Sequence, residues 1–161
     1  MLLNDLPYEY ITSRFHYDEI SGDLLWKNGR NEGQFVGSIF VAQHDKLYWR
    51  TKIGGRNIFN RRIAWFIKTQ NCPEKIDHWN GDGLDNAWLN LREATQAQNF
   101  ANNGNLIRGV DQFLNGKWRA KITSDRQQIH LGMFETKEEA LETYKQALVN
   151  IHGEYAVYNR R

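Results

Sequence analysis

The chain has a single cysteine, Cys72. That excludes an internal disulfide framework and any zinc site built on several cysteines. Only two prolines occur in 161 residues, too few for long disordered linkers. No apolar run approaches the roughly 20 residues of a membrane span. The N-terminal stretch MLLNDLPYEY has neither the basic start nor the long apolar core of a signal peptide. These absences predict a soluble protein of a reducing compartment, the cytoplasm, with no membrane partner. Net charge is also nearly missing, at +2. A globally basic nucleic-acid coat and an acidic tail protein are both disfavoured. The length suits one or two domains of roughly 100–200 residues.

What is present is aromatic: six Trp, seven Tyr and eight Phe. The average charge also hides a gradient. Residues 1–60 carry seven basic and seven acidic side chains, and residues 61–104 carry five of each. Residues 105–131 carry five basic (Arg108, Lys117, Arg119, Lys121, Arg126) against two acidic, whereas 132–154 carry two basic against five acidic. The last third is therefore polarised, which predicts one charged working face.

Three segments follow from patterning, and together they predict an α+β fold. Segment 1–60 is β-rich. FHYD, a Ser21-Gly22-Asp23 turn and LLWK read as a hairpin, FVGSIFVA and LYWRTKI as strands, and Gly54-Gly55 as a break. Segment 61–104 reads helix (RRIAWFIKT, stopped by Pro73), strand (KIDHW), polar loop (NGDGLDNAW), strand (LNLREAT) and helix (QAQNFAN, capped by Thr95). Segment 105–161 reads as three strands and a helix. In KWRAKIT, Trp118, Ala120 and Ile122 share one face, and Lys117, Arg119, Lys121 and Thr123 share the other. In QQIHL, Ile129 and Leu131 point inward, Gln128 and His130 outward. Thr136-Lys137-Glu138-Glu139 forms a capping box, and Ala140, Leu141, Tyr144, Ala147, Leu148 and Ile151 follow at helical spacing. A helix over the apolar face of the sheet leaves the basic face to solvent or a ligand.

The chemistry concentrates between Ile76 and Asn99. Asp77, Asp82 and Asp85 suggest a calcium loop, but counting from Asp77 the positions that need glycine and glutamate hold Asp82 and Trp88. Zinc is disfavoured by one histidine and no nearby cysteine. One hard metal with one histidine base remains, with Asp77 and an amide oxygen as ligands suited to magnesium or manganese. Asp77 and His78 can both serve only if the strand ends or bends there, since neighbours on a strand point oppositely.

Asp77-His78, the Asn80-Gly81-Asp82 loop, Asp85-Asn86, Asn90-Leu91-Arg92, Thr95 and Gln98-Asn99 resemble, in type and spacing, the HNH endonucleases common among phage and intron-encoded homing enzymes. The resemblance implies a ββα-metal core over 61–104 that grips one divalent ion, Mg2+ or Mn2+. His78 would be the general base. Asp77 and Asn99 would hold the ion, in the variant that ends in asparagine instead of histidine. Asn90 would stabilise the loop and orient His78 through hydrogen bonds. Related enzymes often carry a His-Arg pair ahead of the upstream helix, where this chain has Arg61-Arg62. A phosphate contact by Arg61 is the expected replacement. A neutral histidine can take a proton from water near physiological pH.

Segment 105–161 resembles the three-stranded DNA-binding domain of plant ethylene-response factors, which also occurs fused to phage HNH nucleases. The likeness rests on Arg108-Gly109-Val110, Gly116-Lys117-Trp118, Ala120-Lys121-Ile122, Leu131-Gly132 with Phe134, Glu139-Ala140, Tyr144, and Gly153 with Ala156 and Asn159. It implies a sheet that enters the major groove of double-stranded DNA. The contacts would come from Arg108, Lys117, Arg119, Lys121, Thr123, Arg126, Gln128 and His130. Asp111 and His130 stand where that family often has arginine and tryptophan, so its base preference does not transfer.

Taken together, the residues and both resemblances imply a metal-dependent DNA endonuclease, phage-type and homing-like, acting in the bacterial host cytoplasm if phage-encoded. A DNA-binding regulator with a degenerate nuclease core is the rival. One such site attacks one strand, and the sequence fixes no oligomeric state.

Overall fold

The chain is seen in a computed structural model that describes residues 3–102, 109–113, 116–124 and 127–156. It divides into two compact units, Met1–Glu93 and Ala94–Arg161. The 61–104 segment of the sequence reading is thus shared between them. Both units mix helix with small antiparallel sheets, an α+β architecture. Among the described residues, no helix is long and apolar enough to cross a membrane.

The first unit opens with a short helix α1 (Tyr8–Thr12) and a hairpin of β1 (Phe15–Tyr17) with β2 (Leu24–Trp26). Asp18 starts its turn by accepting the amides of Ile20 and Ser21 on Oδ1, an arrangement short acidic side chains favour. Three strands follow, β3 (Ser38–Val41), β4 (Leu47–Ile53) and β5 (Arg56–Phe59), with β4 central. The Gly54-Gly55 break is therefore the tip of a second hairpin, which makes a strand of Arg56–Phe59.

Helix α2 (Asn60–Thr69) buries Ile63, Ala64 and Phe66 against Ile11, Phe15, Leu24, Val36 and Ile53. Truncating one of these large core side chains to alanine costs about 2–5 kcal/mol. Buried Asn60 ties α2 to the sheet: its Oδ1 accepts from Thr51 at 2.7 Å and its Nδ2 donates to the Val36 carbonyl at 2.7 Å. The helix closes before Pro73, at Gln70, whose left-handed backbone (φ 60°) lets its amide reach the Phe66 carbonyl. A last hairpin pairs β6 (Ile76–His78) with β7 (Leu91–Glu93) and adds Ile76 and Leu91 to the same core.

In the second unit, α3 (Gln96–Ala101) carries a capping box between Thr95 and Gln98. The sheet has the order β10 (Gln127–Phe134), β9 (Trp118–Ser124), β8 (Val110–Gln112). It is covered by α4 (Lys137–His152), opened by the Thr136–Glu139 capping box. Ala120 and Ile122 meet Ala140, Tyr144 and Leu148 in the core. Two expected core positions differ. Ile129 lies opposite Ile122, as alternation requires, yet is 43% exposed because β10 is an edge strand. Ile151, in the last turn of α4, is also exposed.

Candidate functional site

Strand β6 ends at His78, where the Gly81 amide turns back onto the His78 carbonyl. Asp77 and His78 are both buried, at 5% exposure each. Asp77 lies directly across from Arg92, whose Nε and Nη2 both donate to its Oδ2 at 3.0 and 2.9 Å. The expected ion ligand is therefore held by a guanidinium that the sequence reading gave no role.

The Nε2 of His78 lies 3.0 Å from Oδ1 of Asn86, a side chain only 2% exposed. With that oxygen as acceptor, the ring proton sits on Nε2 and Nδ1 is the basic nitrogen. Burial pulls the His78 pKa down to about 4. The Asn86 bond and the charges of Asp77 and Asp85 pull it up, and Arg61 pushes it further down. The neutral base is thus the form present at neutral pH.

The first 60 residues fix Asn86. The Tyr17 hydroxyl donates to its carbonyl at 2.7 Å, and burial pushes that phenol's pKa up, so it stays a donor. Gly22 packs so closely on Asn86 and Ala87 that an added Cβ would lie 2.3 Å from the Ala87 nitrogen. Gly83 abuts β4 in the same way, 2.3 Å from the Leu47 carbonyl oxygen and 2.4 Å from the Tyr48 ring. Only a residue without Cβ permits either approach.

Asn90 locks the loop. Its Oδ1 accepts the Asn80 amide at 2.9 Å and its Nδ2 donates to the Asp85 carbonyl at 2.7 Å. The expected loop-stabilising part is visible in those bonds, while the bond to His78 comes from Asn86. Asp82 and Asp85 do not gather as ligands around a cation. Asp82 accepts the Leu84 amide, and Asp85 accepts the Ala87 amide and the Asn80 side chain. Among the described residues, no group of three or more His, Cys, Asp or Glu could hold a metal. The donors at hand are one carboxylate and carboxamides. A carboxylate oxygen is a hard donor of the kind that suits magnesium or manganese. Asn99 lies on α3, in the second unit, and Asp77 in the first.

Arg61 begins α2. Its guanidinium carbon lies 4.6 Å from the Tyr48 ring centre and 4.5 Å from that of Phe59. The Tyr48 ring is 6.1 Å from that of His78. Burial pulls the Arg61 pKa below the ordinary arginine value, and the side chain forms no ion pair with any described residue.

On the second unit's sheet, Arg119, Lys121, Thr123, Gln128 and His130 share one face as expected, Thr123 opposite Gln128 and Lys121 opposite His130. The cations there are engaged. Asp111 takes Arg119 in two bonds at 2.9 and 2.8 Å and Lys121 at 3.2 Å, while Glu135 pairs with Lys117. Arg108 and Arg126 lie outside the described residues.

Asn86 and Arg92 stood in the quoted motif without a role; the β6–β7 register sets Arg92 against Asp77, and the loop between those strands brings Asn86 to His78. Nothing in the local sequence marks Tyr17 or Tyr48. Comparison with family models, curated proteins and solved structures finds no match to this chain.

Proposed function

We propose that this chain is a metal-dependent DNA endonuclease of HNH type that hydrolyses phosphodiester bonds, with His78 as the general base. The observation that carries the reading is His78 itself: a buried imidazole with Nε2 3.0 Å from Oδ1 of Asn86, beside an arginine that forms no ion pair with any described residue. Nδ1 of His78 takes the proton of the attacking water. Arg61 binds a non-bridging oxygen of the scissile phosphate and offsets its charge. Asn90 and Asp85 hold the loop so that the imidazole does not reorient. Asp77 is the residue of the first unit that would supply a carboxylate oxygen to one Mg2+ or Mn2+. What a bound ion supplies is neutralisation of charge at the phosphate and at the departing oxygen. The basic sheet face of the second unit would dock duplex DNA through phosphates, with Gln128 and Arg119 reading base edges.

One observation favours the rival reading, a DNA-binding regulator with a degenerate core: Arg92 occupies the carboxylate of Asp77. Supercoiled plasmid nicking in magnesium, with and without chelator, separates the two. His78→Ala is expected to abolish nicking while DNA binding persists. Nicking by the variant at the wild-type rate removes His78 from the mechanism. Retarded DNA mobility with no cleavage by the wild type in magnesium or manganese favours the regulator.

A further inference from the structure

The β3–β5 sheet has two unlike faces. Thr51 and Ile53 turn one face to the core. On the other, register sets Phe40 opposite Tyr48, Arg50 opposite Phe59 and Lys52 opposite Asn57. Its rings form a continuous cluster, Phe40 to Phe59 at 5.7 Å and Phe59 to Tyr48 at 5.6 Å. The Arg50 guanidinium sits 4.8 Å over Phe40, and Arg61 sits over Phe59 and Tyr48. Tyr48 then neighbours His78. The series Arg50, Phe40, Phe59, Arg61, Tyr48, His78 therefore runs along one surface into the candidate site.

Three cations lie on this face, and none of Arg50, Lys52 and Arg61 forms an ion pair with a described residue. Nε of Arg50 is buried without a hydrogen-bond partner. The second unit is the opposite case, since Lys117, Arg119 and Lys121 each rest on a carboxylate. A guanidinium stacked on a ring is held with its N–H edge available to an oxyanion. Gathered cations without counter-charges repel one another until an anion arrives. Cations interleaved with aromatic rings suit a nucleic-acid strand.

We propose that this face grips the sugar-phosphate backbone of the DNA strand flanking the cleaved bond, with Arg50 and Lys52 on successive phosphates beyond the one Arg61 holds. The placement of the cut rests on the nuclease reading of His78; the binding does not.

The test is fluorescence anisotropy of the full chain on a labelled DNA duplex, in EDTA, across a series of KCl concentrations. Lys52→Met, Arg50→Met and their double variant are compared with Arg30→Met, which removes an equal charge from an exposed loop of the same unit. Each of the two face substitutions is expected to lower the log–log salt slope by about one, and the double variant to weaken binding on the order of ten-fold or more at moderate salt, because each lost phosphate contact releases one counterion fewer. A double variant indistinguishable from Arg30→Met overturns the proposal. So does tighter binding to an RNA duplex of the same sequence with the same losses. If circular dichroism shows that Arg50→Met does not fold, exposed Lys52→Met decides alone, with half the effect. Cleavage is silent in EDTA, so a chain that binds through this face but never nicks in magnesium overturns the nuclease reading and leaves this one standing.

Discussion

His78 and Asn86, eight residues apart, face each other across the buried end of a hairpin, Nε2 to Oδ1 at 3.0 Å. Neither residue is free to turn. His78 is anchored in β6, and the backbone of Asn86 is gripped by Tyr17 and pressed by Gly22. The pair fixes a tautomer, which makes Asn86 a positioning residue for the proposed base.

Asn86→Ala removes the acceptor and leaves the Tyr17 bond to the backbone in place. A buried N–H without a partner costs about 1–3 kcal/mol, and nicking is expected to fall roughly 10–100-fold, the usual effect of losing such an orienting partner. Asn86→Asp sets a carboxylate against the ring and raises the His78 pKa. The acid limb of kcat/KM should then move to higher pH. An unmoved limb in Asn86→Asp would leave Asn86 with a packing role only.

Stability should depend on pH through the same ring. Burial holds His78 at about 4, against 6.5 in an open chain. Protonation therefore favours the unfolded chain. The contribution of neutral His78 is complete above about pH 6.5 and is lost as pH falls toward about 4. Between about pH 7 and pH 4.5 that loss is about 2–3 kcal/mol. Urea midpoints in EDTA for the wild type and His78→Gln measure it. The wild type should lose more stability across this window than the variant, and equal losses would assign the acid sensitivity to other groups.

Arg92 and Asp77 form a buried pair, and breaking one side of such a pair costs about 3–5 kcal/mol. Arg92→Met is expected to lower the thermal midpoint in EDTA. If Asp77 binds a divalent ion, magnesium should restore part of that loss and raise the variant's midpoint more than the wild type's. Asp77→Asn with Arg92→Met serves as the blank. A magnesium effect no larger in Arg92→Met than in the blank would strike Asp77 from the ligand set.

The hairpin of Asp77 and His78 was legible because Asn80-Gly81 follows the short KIDHW run, and the capping boxes at Thr95 and Thr136 were legible because they are local. Strand β5 was not: Arg56–Phe59 has no alternation of its own and becomes a strand by pairing with β4. The partners that decide the site were hidden for the same reason. Arg92 meets Asp77 only through the β6–β7 register, and Tyr17 reaches Asn86 across 69 positions. Asp82 and Asp85, close to Asp77 in sequence, spend their carboxylates on amides of their own loop.

The alternation of Arg119, Lys121 and Thr123 was also local and correct, but their charge state was not local. Asp111 enters from β8, opposite Arg119. The two cations beside it hold its carboxyl at about 2, the Arg119 hydrogen bond foremost, so it stays ionised at any working pH. That carboxylate cancels one positive charge of the sheet face and keeps Arg119 and Lys121 turned toward it. Asp111→Asn releases both cations and removes one negative charge from the face. Duplex binding in EDTA should tighten, and the log–log salt slope should steepen by about one to two. Asp111→Asn binding as the wild type does, with an unchanged slope, would mean that DNA does not meet this face, and the docking role of the second unit would have to be given up.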